Sequence, residues 1–390
     1  MIFLILLFLL LPSQIAFHFW PSWSLINGIR VDYLSPTLYL TDLIIIGLFL
    51  TSRLRVRVPL PVIIFVVLNL LISSFPLLTI YKWLRVLEYF WLFKYLISYY
   101  ERRTMNYALA LSTLWTSILA WWQFILQRSV GGFWYWLGER PLSVSTLLIA
   151  KISFFGHLLM RPYATSPHPN ALAGFLLVAG LILYSLNRRI TPALLAAFLT
   201  IPLTFSRTAI VLEILILGIW ILLLAKRDEV DIKNLKLKIV TGLLLLFSSI
   251  YFLVSITGSI ESLPGRFSLI HNSLVLVQKY PILGVGLGNF IPATMNHELI
   301  TNNYLYQPVH NIYLLIASEL GLPATAVIGY WLLVHSKKWL RTMNYELITA
   351  AAVIAITGAA DHYWLTLHQN ILLLVILMAY AYSYRWGSQR

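Results

Sequence analysis

The chain contains no cysteine, so a disulfide, a thiolate nucleophile and a cysteine-based metal site are all excluded. Charge is scarce as well: Asp, Glu, Lys and Arg make up 11% of the 390 residues, against about 25% in an ordinary soluble domain. The amino terminus lacks the basic n-region and small-residue cleavage site of a signal peptide, so Ile2 to Trp20 reads as a first membrane span. No internal repeat is detectable. Gly284, Gly286 and Gly288 do not form a dinucleotide fingerprint, since no strand precedes them and their spacing is wrong. They read as a tight turn.

What fills the chain instead is apolar sequence. Hydrophobic residues reach 59%, arranged in repeated runs close to the roughly 20 residues that cross a hydrocarbon core. Backbone groups in such runs find no water, so the spans are expected to be helices. The expectation is an all-α polytopic membrane protein, a single membrane domain over 1–390, with about twelve spans. The runs read as Ile2–Trp20, Leu38–Leu50, Val58–Ser73, Tyr81–Tyr100, Met105–Leu126, Ala171–Leu186, Pro192–Thr204, Arg207–Ala225, Ile239–Ile256, Ile312–Val334, Leu347–Ala360 and Leu367–Tyr384. Leu142–Leu159 is expected to lie in the membrane interface. A net charge of +14 would suggest nucleic acid in a soluble protein, but here it reflects basic loops on the cytoplasmic side. Nucleic acid is therefore not an expected partner; membrane lipids are.

The Lys and Arg residues assign the sides of the membrane. With both termini inside, most of them fall in inner loops such as Arg53-Leu-Arg-Val-Arg57, Glu101-Arg-Arg103 and Lys226–Lys238. The segment 257–311, between the ninth and tenth spans, then faces outward. It is the longest stretch unsuited to a bilayer, and it reads as an active-site loop. Pro264-Gly265-Arg266 opens an apolar helical run in it that Pro281 stops. Within α-helical spacing, Arg85 and Glu88 are expected to pair inside the membrane.

Six arginines, Arg30, Arg128, Arg140, Arg161, Arg207 and Arg266, run against the orientation bias, and three of them stand out. Arg161, Arg207 and Arg266 fall on the outer side, where a guanidinium can snorkel to a lipid headgroup or grip a pyrophosphate bidentately. Taken together they favour an anionic ligand. The outer carboxylates Glu139, Glu261, Glu298 and Asp361 stand singly, without an Asp-x-Asp pair, so neither a metal site nor any other cofactor is expected. A histidine-based zinc site would need convergent ligands, which sequence does not reveal. His168, between two prolines, either shapes a turn or binds substrate, and Asn170 either caps the sixth span or binds substrate. Asp361-His362-Tyr363 lies at an outer span end, as a contact to acceptor or glycan or as a structural polar cluster.

Between about residues 160 and 384 the sequence resembles the O-antigen ligase and O-antigen polymerase superfamily of bacterial membrane glycosyltransferases. The matching pieces are Thr165-Ser-Pro-His-Pro-Asn-Ala-Leu-Ala173, Thr204-Phe-Ser-Arg-Thr-Ala209, Gly265-Arg-Phe267, Tyr280-Pro-Ile-Leu-Gly-Val-Gly-Leu-Gly-Asn-Phe290 and Val309-His-Asn-Ile-Tyr-Leu314, with Glu319-Leu-Gly-Leu-Pro323 behind. The resemblance implies a lipid-dependent glycosyltransferase fold in the cytoplasmic (inner) membrane. It also implies an undecaprenyl-diphosphate-linked glycan donor at the outer leaflet and a glycan, lipid or protein acceptor. On the same resemblance Arg207, Arg266 and His310 match the essential arginines and histidine, with Asn311 beside them as a binding residue. The loop 257–311 is short for the family, leaving less surface for an acceptor. An imidazole titrates near neutrality, so His310 suits a general base or an orienter of the acceptor hydroxyl. A transporter or flippase of the same lipid-linked glycan is the alternative class. Ligase, polymerase and protein O-oligosaccharyltransferase are not separable by motif.

Overall fold

The computed structural model describes residues 1–99, 102–187, 189–225, 232–255, 263–296, 306–342 and 344–387. In chain order its helices are α1 (Ile2–Leu9), α2 (Leu40–Thr51), α3 (Leu60–Leu71), α4 (Pro76–Tyr99), α5 (Arg102–Leu126), α6 (Pro169–Asn187), α7 (Pro192–Leu203), α8 (Arg207–Ala225), α9 (Ile232–Ser255), α10 (Leu263–Lys279), α11 (Phe290–Asn296), α12 (Ile312–Thr342), α13 (Tyr345–Ala360), α14 (Tyr363–Thr366) and α15 (His368–Gly387). Short antiparallel ribbons pair β1 (Ala16–His18) with β4 (Thr37–Tyr39), β2 (Leu25–Ile26) with β3 (Ile29–Arg30), and β5 (Lys151–Phe154) with β6 (His157–Met160). The protein is thus mostly helical, and among the described residues β structure is confined to connections, where the sequence suggested none.

Among the described residues, three helical stretches are long and apolar enough to cross a membrane: Thr104–Leu126, Pro169–Asn187 and Ile312–Val334. Shorter apolar helices include α2, α3 and α7, each of 12 residues. At 1.5 Å per residue these reach about 18 Å, less than the roughly 30 Å of hydrocarbon.

Two expectations are corrected, for Ile2–Trp20 and for the turn Lys226–Lys238. Ile2–Trp20 is not one helix, because α1 stops after eight residues; Pro12 cannot continue it, and Ala16–His18 pairs with Thr37–Tyr39 instead. Leu142–Leu159, the segment expected in the membrane interface, runs into the β5–β6 hairpin, whose tip Phe155-Gly156 takes positive φ at both residues, as a type I′ two-residue turn requires. Ile232–Lys238, expected within the charged turn Lys226–Lys238, already belongs to α9. Residues 226–231 lie outside the described residues.

The chain forms two compact units. The first comprises Met1–Ile15, Glu101–Ser259 and Asn344–Thr357. Its core is α6, where sixteen of nineteen residues are buried, packed against α5, α7 and α8. Polar pairs stitch these apolar faces: Trp121 Nε1 donates to Thr200 Oγ1 at 2.7 Å, joining α5 to α7, and Ser249 Oγ donates to Glu213 Oε2 at 2.9 Å, joining α9 to α8. A buried carboxylate left without such a donor would be costly.

The second unit comprises Ala16–Tyr100, Ile260–Met343 and Gly358–Arg390. Here α4 packs on α15, and α10 on α12. The expected Arg85–Glu88 pair forms at 2.7 Å, and Arg85 also meets Asp42 of α2 at 2.6 Å. His368 joins this group through Thr41, Tyr89 and Arg85. Charges buried in this way need partners on every side.

Candidate active site

The site of the second unit rests on a broken helix. Inside α12, Gly321 has φ 81° and ψ 167°, and Pro323 follows, so the hydrogen-bond ladder is interrupted. The turn after α10 takes up the freed groups. Val285 N donates to Ser318 O at 2.9 Å, Gly286 N to Glu319 O at 3.1 Å, and Leu322 N to Pro281 O at 2.8 Å. Glu319 itself, 3% exposed, accepts from Phe290 N at 3.1 Å and from Tyr33 Oη at 2.5 Å.

Glycine is required at two of these positions. A Cβ at Gly321 would stand 2.3 Å from Ile282 O, and one at Gly284 would stand 2.4 Å from the carbonyl carbon of Glu319. The 280–290 and 319–323 motifs therefore serve to lock α10 to α12. Asn69, which no sequence signal singled out, completes the lock through Leu283 O, Glu319 O and Leu287 N. Ser273 and Ser318, 2.7 Å apart, do the same farther along the helix pair.

That lock fixes the chain on either side of His310. Asn311 caps α12, its Oδ1 accepting from Tyr313 N at 2.9 Å and Leu314 N at 3.0 Å, while its Nδ2 donates to Ala359 O at 3.1 Å. Expected from sequence as a binding residue, Asn311 also ties the end of α13 to the start of α12. Asp361 is delivered by that tie: its Oδ1 lies 3.1 Å from His310 Nδ1 and accepts from His362 N at 2.8 Å. The His310 and His362 rings lie 5.1 Å apart, and His362 Nδ1 meets Thr366 Oγ1 at 2.7 Å. Arg266 lies in the first turn of α10, where backbone N–H groups have no intrahelical acceptors, and its Nη1 donates to Ala360 O at 3.3 Å.

Arg266, His310, Asp361 and His362 thus share one place. Enclosure of the His362 ring by protein holds its pKa down to about 4, against the pull of Asp361, with His310 and Arg266 adding to the depression. His362 is consequently neutral at physiological pH. The ligating atoms of His310, Asp361 and His362 lie within 4.8 Å of one another, a grouping that could hold a metal ion. Sequence spacing gave no hint of this convergence, because 51 positions separate His310 from Asp361.

The remaining expected site residues belong to the first unit. Arg161 donates from Nε to Thr204 O and from Nη2 to Asn170 Oδ1, both at 2.6 Å. His168 Nδ1 accepts from Asn170 N at 3.1 Å. The cap at the start of α6 therefore comes from His168, and Asn170 is occupied with Arg161. Arg140, which sequence reasoning passed over, donates to Pro167 O at 2.7 Å and holds the other side of the Thr165–Asn170 loop. Arg207 is exposed at the first position of α8. Glu139 anchors a loop by accepting from Gln123, Val130 and Gly131; Glu261 and Glu298 lie outside the described residues.

Arg266, His310 and the interlocked turn all fall within one contiguous region of family similarity. Residues 192–329 match the O-antigen ligase family. Neither a curated protein nor a solved structure gave a match. The O-antigen ligase match upholds the superfamily resemblance read from the motifs. The match covers 138 of the 390 residues; with the long apolar helices it supports the reading of a bacterial membrane protein with a glycosyltransferase-like ligase role. Asp361 and His362 lie beyond the matched O-antigen ligase region, and geometry alone joins them to it.

Proposed function

We propose that this protein transfers a glycan from an undecaprenyl-diphosphate-linked donor to an acceptor hydroxyl at the outer face of the bacterial inner membrane. The observation that carries this reading is the His310–Asp361 contact of 3.1 Å beside Arg266, with both His310 and Arg266 inside the O-antigen ligase match.

Asp361, as a carboxylate, accepts the proton of His310 Nδ1 and so leaves a lone pair on Nε2. The acceptor oxygen attacks the anomeric carbon as its proton passes to Nε2. The bond from that carbon to the diphosphate oxygen breaks, its electron pair stays on the diphosphate, and undecaprenyl diphosphate departs. Asp361 stabilises the imidazolium, while Arg266 and the N-terminal amides of α10 oppose the charge on the leaving oxygen. Arg207 is proposed, on its sequence motif, as a further contributor to transfer.

Metal is not needed in this scheme, because cationic side chains meet the developing charge. The His310, Asp361 and His362 grouping favours a second reading in which a bound divalent ion assists. The test is purified protein in nanodiscs with a defined lipid-linked donor and candidate acceptors, with product analysed by mass spectrometry. A glycosylated acceptor together with free undecaprenyl diphosphate supports the proposal. Passage of intact donor across vesicles with no transfer product would assign the protein to the transporter class.

A further inference from the structure

The connection between α5 and α6 is a second feature with a chemistry of its own. Its two ends leave neighbouring helices, Thr104–Leu126 and Pro169–Asn187, that are each long and apolar enough to span a membrane. Those ends lie at one level, since Gln123 near the end of α5 bonds Tyr163 N, Ala164 N and Ala164 O just before α6. The whole connection therefore stays on one membrane face, next to the lipid.

Its surface is not that of a water-exposed loop. Phe133, Trp136, Leu147, Leu148, Phe155 and Leu158 are between 57% and 82% exposed. The inner side is well packed: Met160 is fully buried, Ile152 nearly so, and the Phe154 ring stacks on Phe252 at 5.7 Å. Exposed Arg128 and half-buried Lys151 lie in the same segment, as suits anionic headgroups. A two-stranded ribbon leaves edge N–H and C=O groups without partners, which hydrocarbon does not tolerate. The hairpin can dip into the leaflet boundary but cannot cross it.

We propose that this connection is an interfacial anchor, with the Leu147-Leu148 tip and the Phe155 tip of the β5–β6 hairpin inserted among bilayer lipids at the headgroup–acyl boundary. The occupant of this surface is phospholipid, and the proposal is independent of the catalytic reading.

The absence of cysteine permits a direct test in the full chain. Leu148→Cys and Phe155→Cys, each carrying a nitroxide, are placed in phosphatidylethanolamine–phosphatidylglycerol nanodiscs beside an Arg55→Cys control. Collision rates with oxygen and with a water-soluble nickel chelate are then measured. Both tip labels are expected to favour oxygen over nickel, at a depth of about 5–10 Å, and the control to show the reverse. Both labelled positions are exposed, and size-exclusion chromatography verifies the fold of each variant. Nickel access at either tip equal to the control would overturn the proposal. So would shielding of either tip from both reagents, which would show protein covering it.

Discussion

At the scale of residues, the proposed transfer depends on what Asp361 does for His310. Asp361→Asn offers an amide that can donate as well as accept, so the imidazole proton is no longer held on Nδ1. Transfer should fall about 10²–10⁴-fold with donor binding retained, measured by single-turnover kinetics. Arg266→Lys keeps the charge but loses the planar fork, and should lower the rate by up to about 10²-fold. His362 makes a prediction about stability. Its folded pKa of about 4 lies below the ordinary 6.5, so between these values the unfolded chain binds a proton that the folded chain excludes. Stability is full above pH 6.5 and declines as pH falls towards 4, by up to about 3 kcal/mol. Thermal unfolding at pH 7 and pH 4.5 measures this, and His362→Gln should remove that part of the pH dependence.

At the scale of elements, the reading from sequence succeeded where proline and glycine punctuate the chain. Pro192 opens α7 as expected, Pro264-Gly265 lies at the start of α10, and the three glycines after Pro281 adopt positive φ. It failed where pairing is non-local. The β1–β4 ribbon joins segments about twenty residues apart, and no periodicity in Ile2–Trp20 distinguishes its apolar strand from a continuing span. Asn170 as a cap was a sound local inference, overridden by the tertiary partner Arg161. The break in α12 offers the test at this scale. Gly321→Ala places a methyl against the Ile282 carbonyl at φ 81°, and should cost at least about 1–3 kcal/mol, seen as a lowered unfolding temperature or loss of monodisperse protein. Gly329→Ala, farther along the same helix with open space around it, should be near neutral.

At the scale of the whole molecule, a chain with 14 acidic residues among 390 places the carboxylate–imidazole contact of Asp361 and His310 at the start of a broken helix. Arg266 and His310 were legible because family motifs surround them; the contribution of Asp361 became legible only through the Asn311–Ala359 tie. Transfer by the purified protein should survive exhaustive chelation, and restoration of a lost activity by magnesium, manganese or zinc would favour the metal-assisted reading. The most direct test of the central claim compares donor affinity and single-turnover rate for the wild type and His310→Ala in nanodiscs. Donor affinity should be unchanged and the rate lower by about 10²–10⁴-fold. Near-normal turnover, or donor binding lost in step with the rate, would contradict His310 as the base.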